Sequence, residues 1–308
     1  MRIFTYFNIL FFLLFISKIN SNEGPLQYPE PPDGWDEGDC KSLQIQSPID
    51  IPSLKDESII IDNGYYAKIK SLLYNNIFSG SVKFDNNHKW TTEELDIGYI
   101  EIYLNTTLYK YKLHSFHFHL YSEHRIENKQ YPMELHIVHK NMNKKDLINE
   151  NLVIGILFDY KNDKENQFLK KINLGEEKKI NDASILDLIN KKDSFYYYKG
   201  SLTTIPCTEN VNWIIFKDIK NMSYQQFIKF KNWIENSNLK YYGVGYGNAR
   251  GPKRLNGRKI YLENYDRDNI NSTGKYWFSI LPITTFLLYP LLIFYYHMQF
   301  KNKIFRYI

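Results

Sequence analysis

Residues 108–141 read LYKYKLHSFHFHLYSEHRIENKQYPMELHIVHKN, and the two histidine-bearing runs inside this stretch decide the fold. In LHSFHFHLY the two-residue period of a strand puts Leu113, Ser115, His117 and His119 on one face. It puts His114, Phe116, Phe118 and Leu120 on the other, so the apolar set faces a core and the His117/His119 pair faces away from it. MELHIVH follows after a loop, as the return arm of an antiparallel hairpin. There Glu134, His136 and Val138 share one face, and Leu135, Ile137 and His139 the other.

Imidazoles two residues apart on a strand are separated by roughly 7 Å along it. They can converge on one ion about 2.0–2.1 Å from each nitrogen. The neighbouring strand offers His136 as the third ligand, with Glu134 beside it as the carboxylate that fixes the ring. Three neutral histidines hold a divalent zinc with a fourth position open, which is the layout of a catalytic site and not of a structural one. His136 and His139 have helical spacing, which does not chelate from a strand, so His139 and His114 read as packing or surface residues.

Working outward, short apolar or alternating runs broken by Asn, Gly and Asp recur at SIIID (58–62), YAKIKSLLY (66–74), DIGYIEIYL (96–104), NLVIGILFDY (151–160) and YYYKGSLTTIPCTENVNWIIF (196–216). They predict a β-dominated α+β fold, a single domain around a large, mostly antiparallel twisted sheet with short peripheral helices. The helices are expected at QFLKKI (167–172), ASILDLI (183–189) and MSYQQFIKFKNWIE (222–235). Residues 22–39, with Pro25, Pro29, Pro31 and Pro32, read as an extended arm.

The ends of the 308-residue chain are different in kind. Residues 3–17 are almost wholly apolar behind Arg2, which reads as a signal peptide over 1–21. Residues 276–298 carry no Asp, Glu, Lys or Arg, enough for a transmembrane helix, and leave a short cytoplasmic tail at 299–308. The domain proper is then 22–272, extracellular or lumenal on a single-pass membrane protein. A composition of 24% charged and 17% aromatic residues excludes disordered, collagenous and coiled-coil classes. The 39 basic and 34 acidic residues interleave without a basic block, so no nucleic-acid partner is expected. Cys40 and Cys207 exclude Cys-rich zinc fingers and suit either one disulfide or two buried thiols. Asn105, Asn221 and Asn271 head glycosylation sequons. There is no G-x-S-x-G, P-loop or dinucleotide motif.

Four motifs in order, QSPIDI (46–51), FHFHLYSEHRIENKQYPMELHIVHKN (116–141), YYYKGSLTTIPCTENVNWIIF (196–216) and N-x-R…LNGR (248–258), resemble the α-class carbonic anhydrases, in the manner of a membrane-anchored, extracellular-type member. The resemblance runs from about Trp35 to Tyr261. It implies reversible hydration of carbon dioxide to bicarbonate and a proton by zinc-bound hydroxide, with sulfonamides as inhibitors. His117, His119 and His136 match the zinc ligands. Thr203 matches the threonine that bonds the hydroxide and donates to a glutamate, here Glu123, and Thr204 is the next pocket residue. Val138, Val153, Leu202, Val211 and Trp213 match the apolar wall where carbon dioxide rests. Glu134 matches the partner of the third histidine, His124 a buried structural histidine, and Cys40 with Cys207 the disulfide of extracellular members. The chain departs from the pattern in three places. Tyr65 stands at the proton-shuttle position where fast members carry histidine, Ser115 replaces a glutamine, and Leu120 replaces a tryptophan. Slower, buffer-dependent turnover follows from Tyr65, because a phenol near pKa 10 relays protons poorly beside an imidazole near 6.5. The alternative reading is a non-catalytic surface module of the same fold that binds a protein or polysaccharide.

Overall fold

A computed structural model describes residues 38–264 apart from 43, 63, 76–77, 82, 85–89, 94–96, 177–178 and 237–247. The expected signal peptide, the transmembrane segment at 276–298, the tail and Asn271 lie outside the described residues. Among those described, no helix is long and apolar enough to cross a membrane.

The strand Thr107–Leu120 is the spine of the sheet. It pairs antiparallel with Met133–Asn141, which pairs antiparallel with Asn151–Asp159. That strand runs parallel to Glu209–Phe216, and Phe195–Ser201 and Ile260–Glu263 extend the sheet by antiparallel pairing. On the other side Gly98–Leu104 and Ala67–Tyr74 continue from the spine. Twelve of the described strands join in this one sheet, whose pairs are mostly antiparallel as the sequence predicts.

One face carries the core. Phe116, Phe118, Leu120, Leu135, Ile137, Ile154 and Ile156 are all out of solvent there, each contributing about 1.5–3 kcal/mol by burial. The helix Tyr224–Asn236 closes this face with Phe227, Phe230 and Ile234, spaced for one side of a helix. Phe230 packs on Phe118 at 5.9 Å between ring centroids, directly behind the histidine face of the spine. The other predicted helices are short. Gln167–Lys171 is helical, whereas ASILDLI forms only a 3-10 turn at Ile185–Asp187, with its first residue, Ala183, ending the strand Lys179–Ala183 that pairs with Phe78–Ser81.

Strict alternation breaks once on the spine. Val138 faces Ser115 but His139 faces Leu113, so His114 is an extra residue in a bulge. Leu113 therefore joins the core instead of sharing the face of Ser115, and His114 is exposed instead of sharing the face of Phe116.

Candidate metal centre

His117 and His136 are direct cross-strand partners, and Glu134 lies opposite His119 one rung away. Residues facing each other across an antiparallel pair bring their Cβ atoms to about 5 Å. The three rings accordingly sit 4.5–5.2 Å apart between centroids. One nitrogen from each lies within 4.8 Å of the others.

Two of the three tautomers follow from their partners. His119 donates Nδ1–H to the carbonyl of Asn248 at 2.8 Å, which leaves the lone pair on Nε2. His136 donates Nε2–H to Glu134 Oε1 at 2.8 Å, which leaves it on Nδ1. Both rings are thus oriented by a partner on one nitrogen, as metal-binding imidazoles are. Asn248 is itself fixed on the spine. Its Oδ1 accepts from the Leu120 amide at 2.7 Å and its Nδ2 donates to the Phe118 carbonyl at 3.1 Å.

Glu134 anchors the centre. Its Oε1 takes both His136 Nε2–H and His124 Nδ1–H at 2.8 Å, and its Oε2 takes the amides of Glu123 and His124 at 2.8 and 2.9 Å. Desolvation pushes this buried carboxyl up, but the two imidazoles and their hydrogen bonds outweigh it and hold the group well below the usual carboxylate range. His124 Nε2 accepts from the Tyr198 hydroxyl at 2.6 Å, and that oxygen in turn takes the Ser47 hydroxyl at 2.9 Å. Ser47 Oγ accepts the Ser201 amide at 3.0 Å, tying the network to the loop that follows. Burial drives the Tyr198 phenol far above its ordinary range, so it stays a donor. His124, Glu134 and His136 also cluster closely enough to hold an ion. Their facing atoms are consumed by one another, so the fitting donor set is His117, His119 and His136.

The predicted apolar wall forms a row beside this triad. Val138, Val153 and Trp213 are consecutive cross-strand partners, one rung along from His136. Val211 is buried two residues before Trp213, and Leu202 is half-buried in the adjoining loop. The indole also packs on His136 and His124 at 4.9 and 4.7 Å. Its Nε1–H donates to the Ser201 carbonyl at 2.9 Å.

Thr203 is buried and Thr204 half-buried in the loop after Ser201. The loop is closed by the Cys207 amide on the Thr204 carbonyl at 2.7 Å and by the Cys40–Cys207 disulfide. Glu123 Oε1 accepts the Arg250 amide at 2.9 Å, and Arg250 reaches on to Gln46 and the Ser47 carbonyl. Ser115 shares a 3.3 Å contact with His114 Nδ1, and Leu120 is core. Tyr65 is 63% exposed, and its ring contact runs to Tyr66 and not to the triad. Reading by local pattern misses Tyr198, Ser47 and the roles of Asn248 and Arg250. The N-x-R and QSPIDI motifs carried that signal, but nothing local says which atoms they meet.

A family model described as eukaryotic-type carbonic anhydrase matches residues 30–264. The chain belongs to this family. Alpha carbonic anhydrase 3 of Arabidopsis thaliana is 32% identical over 237 residues, covering 72% of this chain and 76% of its own length. A carbonic anhydrase of a Nostoc species is 33% identical, covering 62% of this chain and 69% of its own. Among solved structures, the α-carbonic anhydrase of Thermovibrio ammonificans in complex with the inhibitor sulfanilamide is similar with a TM-score of 0.56 and 30% identity. That match covers 72% of this chain and 89% of the solved one. The carbonic anhydrase fold and family thus account for the buried histidine-rich centre, and carbon dioxide hydration is the activity they support.

Proposed function

We propose that the domain hydrates carbon dioxide reversibly with a zinc ion held by His117, His119 and His136. The observation that carries this is the convergence of three imidazoles, two of them with the lone pair set by a buried partner on the far nitrogen. Zinc bound there would supply Lewis acidity that makes a hydroxide nucleophile at neutral pH, an effect for which carbonic anhydrase is itself the reference case.

The protein's part is to seat, orient and drain. The Val138–Val153–Trp213 row, with Val211 and Leu202, excludes water and seats an apolar triatomic substrate. Thr203 would donate its proton to Glu123, which would leave its oxygen free to accept a hydrogen bond from the nucleophile and so orient it. Glu123 can serve as that acceptor because the Arg250 amide holds its carboxylate. Thr204 lines the same loop. Proton export passes the position of Tyr65, whose phenol is a poor relay at neutral pH. The Cys40–Cys207 disulfide supports an oxidising compartment, in keeping with a signal peptide over 1–21 and a membrane span over 276–298.

Stopped-flow carbon dioxide hydration on the zinc-loaded full chain tests this reading. Activity that is lost in His117→Ala and blocked by a sulfonamide is expected. In low buffer Tyr65→His should raise the maximal rate, with imidazole closing the gap for the parent. A folded, zinc-loaded chain without activity would overturn the catalytic reading.

A further inference from the structure

The central strand Asn151–Asp159 is buried on both faces through Phe158, yet its apolar run LVIGILF is interrupted by Gly155. A strand-interior glycine forfeits packing and backbone entropy, and it commonly marks a close approach. Here the approach is to the metal centre. Gly155 faces His136 on one side and Ile215 on the other. A Cβ added to it would fall 2.8 Å from Glu134 Oε1 and 2.6 Å from Ile215 Cδ1.

The two collisions differ in kind. Ile215 Cδ1 ends a flexible side chain. Glu134 Oε1 is the single atom that accepts from both His124 and His136, and its sister oxygen is held by two backbone amides. The carboxylate therefore cannot swing aside without giving up hydrogen bonds.

We propose that Gly155 is a positioning residue of the metal centre: the space left by its missing Cβ is the seat of Glu134 Oε1, and one carboxylate can serve both imidazoles only because of it. The consequence for zinc rests on the reading above. The seat itself does not.

A double-mutant cycle tests it, built in an Ile215→Val background so that the Cδ1 collision is gone. Glu134→Ala, Gly155→Ala and the pair are compared for zinc affinity by chelator competition on folded apoprotein. Glu134→Ala also empties the space the new methyl needs, so the pair keeps the test alive if Gly155→Ala alone misfolds. Gly155→Ala should weaken zinc about 10–100-fold, the usual cost of losing an outer partner, and should cost nothing further on top of Glu134→Ala. Losses that multiply, or a Gly155→Ala variant that binds zinc as its parent does, would overturn the proposal. If the parent itself binds no zinc, the metal reading falls and nitrogen-15 NMR of the apoprotein decides. Loss of the hydrogen-bonded imidazole N–H signals of His124 and His136 in Gly155→Ala upholds the seat; their survival removes it.

Discussion

His136 and His139 stand three residues apart on one strand, both essentially out of solvent, and they end in opposite kinds of place. His136 spends one nitrogen on Glu134 and turns the other toward His117 and His119. His139, on the core face, spends both. Its Nδ1–H donates to the Ile137 carbonyl at 3.0 Å and its Nε2 accepts the Tyr74 hydroxyl at 2.7 Å. Residue type and burial are the same, so neither marks a ligand. What separates the two is the nitrogen left over, and strand parity decides that by choosing the face.

The largest effect expected from this contrast comes from removing each ring in turn. His136→Ala should lower zinc affinity by more than the 10–100-fold that follows loss of an outer partner, and should abolish hydration. His139→Ala should leave zinc affinity in place and instead cost about 2–4 kcal/mol of stability, from the cavity and the stranded Tyr74 hydroxyl. Zinc titration and urea denaturation of the two variants side by side check both halves. A His139→Ala chain that folds but has lost zinc would erase the distinction.

Next in size is a pH effect confined to the core histidine. Desolvation pushes His139 down to about 4 from its ordinary 6.5, against carbonyl contacts that favour the proton. The unfolded chain then binds a proton between those values that the folded chain refuses, so stability falls as pH drops from above 6.5 toward 4. At 1.36 kcal/mol per unit the loss is about 3 kcal/mol. His139→Leu should be less stable than the parent at pH 7, with the gap narrowing by about that amount at pH 4. Denaturation curves for both proteins at the two pH values measure it, and an unchanged gap would mean that His139 is protonated in the fold.

Most of the centre was legible because its spacing is short. The alternation that puts His117 and His119 opposite Phe116 and Phe118 is a property of four consecutive residues, and the Glu134/His136 pair one of three. The cross-strand match of His117 with His136 needed only the hairpin. Tyr198, Ser47, Asn248 and Arg250 were not legible as partners, since each reaches its contact across dozens to more than two hundred residues of chain. Such placement belongs to sheet order, which no periodicity encodes. In ASILDLI the helical pattern shortens to one 3-10 turn at Ile185–Asp187, and its first residue, Ala183, is held by a pairing with Phe78, about a hundred residues earlier.

The smallest effect tests the one place where parity itself miscounts. Continuing the alternation backward from His117 gives His114 the place of a core residue and Leu113 a place beside His117 and His119. The bulge reverses them: Leu113 is 2% exposed within the core, and His114 is in solvent with a 3.3 Å contact to Ser115. His114→Ala should therefore change stability by no more than about 0.5 kcal/mol, as surface substitutions do, and leave zinc affinity untouched. Thermal denaturation and the same chelator competition read both. A large loss in either would put His114 back on an inward face, and the extra residue at the Val138–His139 step would then have to be absorbed elsewhere on the spine.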